Sequence, residues 1–402
     1  MVERIVVVGG GLAAGTAVVE LRERGYEGSI VLLAAEDHAP YERPPLSKAV
    51  LLGEAVPDCT AVKDRQWYDD HGVELRTGSR AEGLHTGRRL VLVGREEIAY
   101  DGLLLATGAR PRRFAMADDS GASVSYLRTI EDSASLRSRF GDGFRLGVLG
   151  GGWIGLEAAA AARSSGAAVT VLESMDLPLG RVLGPEVAGV LAQMHRDHGV
   201  DLRTQVEVTG IGRTDDSVRI SFADGAIVEV DHLLVGVGVE PDTTLAEVGG
   251  LVVENGIRTD RHLRTSAEGV YAAGDVANAD HPVLGRPIRV EHWDTAIQHG
   301  KVAAANLLGG ELDADSLPYF FTDQYDFGME YVGNAPSGGY DRVVLRGDVE
   351  GLNFTAWWLD GDRVVAGMHA NDWDAIDDVR RIVGATVDPA RLADDGIPLS
   401  DL

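Results

Sequence analysis

Two short glycine clusters carry the first recognisable chemistry of this chain. Gly9-x-Gly11-x-x-Ala14 follows the apolar run RIVVV, and Gly150-x-Gly152-x-x-Gly155 follows RLGVL. Where such a cluster joins a strand to a helix, the first Gly permits the turn. The second lets backbone N–H groups approach a phosphate, and a small third residue lets the helix close on the strand. Trp153 and Ile154 open the helix of the second cluster. An acid ends the next apolar run in each half, Glu36 in one and Glu173 in the other. A carboxylate at that point can accept hydrogen bonds from a ribose. Glu173 is followed by Ser174 and Met175, with no Arg beside it, so it would repel a 2′-phosphate. NADH is therefore expected over NADPH.

The elements that must position these residues repeat. The first half reads as a strand at 4–8, a helix to about Arg24 and a strand at 30–34. The second reads as a strand at 145–149, an Ala-rich helix at 153–164 and a strand at 168–172. Continuous β-branched runs fit parallel strands buried on both faces. Short strand-like pieces follow in each half, at 73–106 and 200–235. Each set closes on an apolar strand ending in Gly: LLLATG, which carries Ala106, Thr107 and Gly108, and LLVGVG, which ends at Gly238. From about 318 the pattern becomes aromatic and antiparallel-like, with a helix near 372–384. The fold class predicted is α/β: two Rossmann-like dinucleotide-binding domains and a C-terminal α+β domain. The predicted boundaries are 1–112 with 242–317, then 113–241, then 318–402.

Composition narrows the function classes. The formal charge of the 402 residues is −26, which argues against bulk nucleic-acid binding and against an anionic membrane surface. One cysteine, Cys59, leaves no internal disulfide, no redox thiol pair and no cluster held by this chain's cysteines alone. No metal-ligand spacing occurs among the 11 histidines, so no metal is expected; His195 and His198 read as a surface pair on one helix. No apolar run is long enough to span a membrane and no signal segment is evident, so the cytoplasm is expected.

Longer strings are more specific. YERPPLSK (41–48), TSAEGVYAAGDVA (265–277), RVEHWDTAIQHGKVAAANLLG (289–309) and PYFFTDQYD (318–326), with ATG at 106–108 and GVGVEP at 236–241, resemble one family. It is that of the ferredoxin reductases serving bacterial cytochrome P450s and ring-hydroxylating dioxygenases. The resemblance covers about residues 3–335. It implies FAD at the first glycine cluster and NADH at the second. Gly274 and Asp275 would hold the ribityl and phosphate region. Arg43, Arg110, Glu291, His292, Trp293 and Phe321 would also contact FAD, with Gln298 on the same covering helix as Trp293. Lys48 would lie near the reactive edge of the flavin, and Glu157 near the nicotinamide, paired with Lys48. Phe321 departs from the family, which usually has Trp there; the indole N–H donor is lost.

The reading is an FAD-dependent NADH:ferredoxin oxidoreductase. A hydride would pass from NADH to FAD, and single electrons to a small iron–sulfur ferredoxin serving a P450 or dioxygenase. With no thiol relay, electrons must leave directly to an outside acceptor. Three alternatives stay open: a rubredoxin as acceptor, oxygen as acceptor, or a flavin-binding interaction protein resembling apoptosis-inducing factor. An acidic ferredoxin would need a local basic patch, for which Arg65, Arg110, Arg112, Arg113, Arg286 and Arg289 are candidates. A monomer is favoured.

Overall fold

In a computed structural model describing residues 2–402, the opening run forms strand β1 (Arg4–Val8), followed by helix α1 (Leu12–Glu23) and strand β2 (Ser29–Leu33). Strands β3 (Val73–Arg76) and β4 (Gly102–Leu105) follow. The second half repeats the pattern with β5 (Arg145–Leu149), α2 (Trp153–Ser164) and β6 (Ala168–Leu172). Helix α3 (Gly180–Asp197) leads to β7 (Asp201–Arg203) and β8 (His232–Val235). The chain then returns through β9 (Val270–Ala272) and α4 (Trp293–Leu307). It ends in β10 (Tyr319–Gln324), β11 (Phe327–Gly333), β12 (Arg342–Asp348), β13 (Asn353–Asp360), β14 (Arg363–Ala370) and α5 (Ile376–Ile382).

The chain divides into two compact units. One comprises Met1–Pro44, Pro57–Arg110 and Val239–Pro318; the other comprises Pro45–Val56, Pro111–Gly238 and Tyr319–Leu402. In the first, five parallel strands lie in the order β9-β4-β1-β2-β3. Side chains alternate across the sheet. Ile5, Val7, Ile30, Leu32 and Leu104 meet helices α1 and α4 on one face. Val6, Val8, Val31, Leu33, Leu103 and Leu105 meet Leu84, Val91 and Ile98 on the other. Those three belong to an antiparallel sheet, 83–85, 90–93 and 96–99. A sheet covered on both faces needs unbroken apolar strands, which explains the β-branched runs.

The second unit repeats this arrangement. Its parallel strands run β7-β6-β5-β8, with 124–125 at the edge. Helices α2 and α3 cover one face, and antiparallel strands 208–213, 218–222 and 227–230 cover the other. The C-terminal antiparallel sheet, in the order β10-β11-β14-β13-β12, packs in the same cluster as α2 and α3. Helix α2 is thereby buried widely: Ala158 through Ala162 are all at or below 5% exposure. Small side chains suit a helix pressed from more than one direction. Helix α3 kinks at Gly184 and Pro185, and the indole N–H of Trp358 on β13 donates 3.1 Å to the Leu183 carbonyl at the kink. The helix expected at 372–384 is shorter because Asn371 takes a left-handed backbone and a turn precedes Ile376. Among the described residues, no helix is long and apolar enough to cross a membrane.

Candidate functional site

The first glycine turn is dictated by close approach. Gly9 has φ 140°, and a Cβ there would stand 2.0 Å from the carbonyl oxygen of Ala106. That carbonyl is fixed by the Ala106 N–H to Val8 at 2.8 Å. Gly150 repeats the geometry: φ 104°, with a Cβ 2.4 Å from the carbonyl of Gly236. The parallel between LLLATG and LLVGVG is thus structural, each return strand running its backbone against the first Gly. Gly236 was missed by sequence reading, although it holds the place that Ala106 holds in the first half. Gly155 lies against the Gly150 carbonyl, where a Cβ would come within 2.2 Å, whereas Ala14 fills the matching place with its methyl buried.

Gly11 and Gly152 differ from these. Chain neighbours aside, no protein atom lies within 4 Å of a Cβ built at Gly11, and the nearest at Gly152 is 3.9 Å away. They are the N-caps of α1 and α2, and neither helix has a side-chain cap. Each cradle combines open space, unspent N–H groups and a positive dipole end, which fits the pyrophosphate of a dinucleotide. Nearby, Gly274 (φ 74°) brings Asp275 onto a tight turn facing α1, with Ala13 within 3.0 Å of a Cβ at Gly274. Thr107 donates to the Asp242 carbonyl at 2.7 Å, and Gly108 accepts from Asp242.

The acid after β2 is held by two neighbours. Arg43 Nη2 lies 2.7 Å from Glu36 Oε1, and the Tyr41 hydroxyl donates to Oε2 at 2.5 Å. Each oxygen keeps a lone pair for a ribose hydroxyl. Burial works against the charge on Arg43, but Tyr41, Glu36 and Asp275 together outweigh it and raise its pKa. Trp293, first residue of α4, donates its indole N–H to Glu42 at 2.9 Å. Its neighbour His292 is lowered to about 4, chiefly by burial with Asp275 opposing, so the ring is neutral at pH 7. Glu291 is paired with Arg289.

In the second unit Glu173 faces its own glycine loop. Oε2 accepts from Gly151 N at 2.7 Å, and Oε1 from Met175 N at 2.8 Å and Ser174 Oγ at 3.2 Å. Oε2 retains acceptor capacity. Gly238 (φ 97°) accepts from Arg112 N at 2.9 Å. Trp153 tilts on Phe320 at 5.0 Å, Phe320 stacks on Tyr331 at 4.6 Å, and Tyr331 meets Trp358 at 5.1 Å. This aromatic column ties the start of α2 to the C-terminal sheet. Ile154 packs against the same core.

A buried polar cluster lies in this unit. Lys48 Nζ is 2.6 Å from Glu157 Oε1, with side-chain exposures of 13% and 5%. Ser47 Oγ donates to the other oxygen, and Thr322 Oγ1 donates to Oε1 at 2.7 Å. Lys48 Nζ also lies 5.4 Å from the Phe321 ring centroid. The segment carrying Lys48 is anchored by helix 130–137: Ser133 donates to the Leu46 carbonyl at 2.7 Å and Arg137 to that of Leu51 at 3.0 Å.

The expected residues therefore fall into two groups. Gly9, Gly11, Ala14, Glu36, Arg43, Ala106–Gly108, Arg110, Gly274, Asp275, Glu291, His292 and Trp293 belong to the first unit. Lys48, Trp153, Ile154, Glu157, Phe321 and the second glycine cluster with Glu173 and Gly238 belong to the second. Arg110 pairs with Glu240 at 2.8 Å and Arg113 with Asp118 at 2.7 Å, so these two candidate docking arginines, like Arg289, are committed to carboxylates. The surface reading of His195 is overturned: its ring is fully buried, because the C-terminal sheet covers that face of α3. His198, partly exposed, stacks on Tyr325 at 3.7 Å. Ser47, Thr322, Gln324 and Ser133 were missed. The signal for Thr322 and Gln324 was present, since both alternate with Phe321 on β10.

Comparison with known proteins agrees with this architecture. The family model for pyridine nucleotide-disulphide oxidoreductases matches residues 3–300, and a reductase C-terminal model matches residues 319–402. The chain is 39% identical to the ferredoxin–NAD(+) reductase component of an anthranilate 1,2-dioxygenase system from Burkholderia cepacia, covering 98% of both. It is 34% identical to putidaredoxin reductase of Pseudomonas putida, covering 100% of this chain and 96% of the other. Among solved structures, putidaredoxin reductase in covalent complex with putidaredoxin superposes with a TM-score of 0.94 at 34% identity, covering 99% of this chain and 97% of that one. The disulphide of the family's name cannot form within a chain whose sole cysteine is Cys59. With both dinucleotide cradles in place, the chain belongs to the pyridine nucleotide-disulphide oxidoreductase family.

Proposed function

We propose that this protein is an FAD-dependent NADH:ferredoxin reductase that feeds a P450 or dioxygenase. One observation carries the reading: similarity to ferredoxin–NAD(+) reductase components runs the length of a chain that has no second cysteine for a thiol relay. The chemistry that bound FAD supplies is the conversion of a hydride from NADH into two single electrons for a ferredoxin.

The protein's own contribution is binding and electrostatics. The loop at Gly9, Gly11 and Ala14 would hold the FAD pyrophosphate, Glu36 the ribose, and Ala106–Gly108 the turn beside it. Gly274 and Asp275 would hold the ribityl and phosphate region, with Arg43 and Arg110 alongside. Glu291, His292 and Trp293 would shape the flavin pocket, the Trp293 ring held by Glu42. The loop at Gly150, Gly152 and Gly155, with Trp153, Ile154 and Gly238, would hold NADH, and Glu173 would accept from the adenosine ribose while repelling a 2′-phosphate. Lys48 would present a cation to the flavin, held by Glu157; Phe321 would add an apolar face beside it. The cytoplasm, where NADH is made, is its place of work.

The test is NADH oxidation by the purified yellow protein, with cytochrome c as final readout and an oxygen electrode alongside. Cytochrome c reduction should depend steeply on an added [2Fe–2S] ferredoxin and weakly on rubredoxin, with slow oxygen uptake. Fast turnover against oxygen alone, or a preference for rubredoxin, would sink the assignment.

A further inference from the structure

The Lys48–Glu157 pair stands at the end of a longer chain of hydrogen bonds. The Nε2 of His195 lies 2.7 Å from Gln324 Oε1. Gln324 Nε2 donates to Thr322 Oγ1 at 3.1 Å, and Thr322 Oγ1 donates to Glu157 Oε1 at 2.7 Å. Direction follows from the chemistry. A carboxylate paired with Lys48 only accepts, so the Thr322 hydroxyl gives it its proton and must itself accept. The amide nitrogen of Gln324 supplies that donor. Its oxygen is then left to accept, and His195 carries its proton on Nε2. Every link points toward Glu157.

The chain is dry. Thr322 and His195 are at 0% exposure and Gln324 at 2%. Burial lowers His195 to about 4, with the Gln324 bond partly opposing and His198 adding to the fall, so the ring remains neutral across the working range. Its Nδ1 is buried with no hydrogen-bond partner. The hairpin carrying Gln324 is held under strain: Tyr325 has φ 56°, a left-handed backbone that a non-glycine residue adopts at a cost. Its ring is gripped by His198, stacked at 3.7 Å, and meets the edge of His195 at 5.5 Å. An unpaired buried nitrogen and a strained turn are both unfavourable, and both surround one glutamine. That concentration is what sites needing one defined geometry show.

We propose that Thr322, Gln324 and His195 are positioning residues, which hold Glu157 in one rotamer and through it aim the Lys48 ammonium. The assignment rests on the reading that Lys48 and Glu157 serve hydride transfer from NADH. The charged group that faces the pair is Asp323 on β10; burial raises it most, Lys48 opposes, and Glu157 and the neighbouring Glu330 on β11 add to the rise. Removing the Thr322 hydroxyl withdraws a hydrogen bond that only the charged carboxylate can accept from both Thr322 and Lys48.

The test compares T322V, which keeps the shape, with T322S, which keeps the hydroxyl. It also compares H195L with H195Q, whose amide can replace the Nε2 donor. Two readouts are taken. The first is the rate of Lys48 acetylation by acetic anhydride, measured by mass spectrometry against the exposed Lys301, with and without FAD. The second is the pH profile of flavin reduction by NADH in stopped flow, without ferredoxin. T322V should raise Lys48 labelling several-fold, slow flavin reduction about tenfold at pH 6 and move the acid limb up by about one pH unit. H195L should move both the same way and less, while T322S and H195Q restore wild-type behaviour. Wild-type labelling and an unmoved acid limb in T322V and H195L would overturn the proposal and leave the chain as packing. Neither readout uses ferredoxin, so a wrong electron acceptor would leave this result standing.

Discussion

Breaking the buried ion pair from one side should cost far more than removing it whole. Replacing Lys48 by Met leaves the Glu157 carboxylate, at 5% exposure, with two of its three donors, Ser47 and Thr322. Removing one member of a buried pair typically costs about 3–5 kcal/mol. The two surviving donors and the residual exposure of the site place K48M at or just below the lower end of that range, at about 2–3 kcal/mol. E157Q leaves the Lys48 ammonium facing an amide. That amide must turn its oxygen to one of the two hydroxyls and its N–H₂ toward another donor, so the cost should be about 3–4 kcal/mol. In K48M/E157Q no charge is buried, and the loss should be well below the sum of the singles, with a coupling of about 2 kcal/mol. For a unit of this size, about 1 kcal/mol moves Tm by roughly 2–4 °C. Calorimetry of the FAD-loaded protein should therefore show E157Q melting about 6–16 °C below wild type and the double variant melting well above the temperature that the summed single losses would give. Additive single effects would refute the argument, since they would mean that the two groups do not share one dry site.

Three further outcomes follow from the geometry. G11A should fold and melt normally, because a Cβ there meets no protein atom, yet lose yellow colour through weakened FAD binding; G9A should fail to fold cleanly, with its Cβ 2.0 Å from a backbone oxygen. E173A should raise kcat/KM for NADPH about tenfold and lower it for NADH, measured with ferricyanide as acceptor, because on the proposed reading it removes the carboxylate, held at the glycine loop by Gly151 N–H, that would repel a 2′-phosphate. Burial depresses His195 and His232 to about 4 in the folded chain against 6.5 unfolded, so the unfolded chain binds the extra protons. Stability should be full above pH 6.5 and fall as pH drops toward 4, by up to about 3 kcal/mol for each ring, and H232Q should flatten that slope in pH-dependent melts.

The repeating architecture was legible because it rests on local signals. A β-branched run, a glycine turn, a helix and an acid lie within about thirty residues, and each signal states its own geometry. Strand boundaries came within one residue at β2 and matched at β1, β5 and β6. The polar chain behind Lys48 was not legible, for a physical reason. Its members are joined across 109, 165 and 129 positions, and no local pattern states which strand will cover which helix. His195 shows the difficulty. On α3 it sits three residues from His198, which is consistent with one exposed face, and only the C-terminal sheet laid over that helix turns it into a core residue.

YERPPLSK, which reads as one string, is two parts. The chain leaves the first unit at Pro44 and enters the second at Pro45, so Arg43 joins Glu36 on one side of the crossing and Lys48 joins Glu157 on the other. Proline fixes φ and offers no N–H, so the crossing loses two backbone freedoms before folding begins. The tight turn Pro44–Ser47 then closes by Lys48 N to the Pro45 carbonyl at 3.1 Å, and Leu46 buries its side chain while its carbonyl takes the Ser133 hydroxyl. Lys48 is thus held at three levels: a stiff entry, a backbone pinned by the helix at 130–137, and an ammonium gripped by Glu157. A lone exposed lysine would need none of these. Their convergence on Lys48 gives it the fixed placement that the proposed role beside the flavin would need, which no glycine turn could supply by itself.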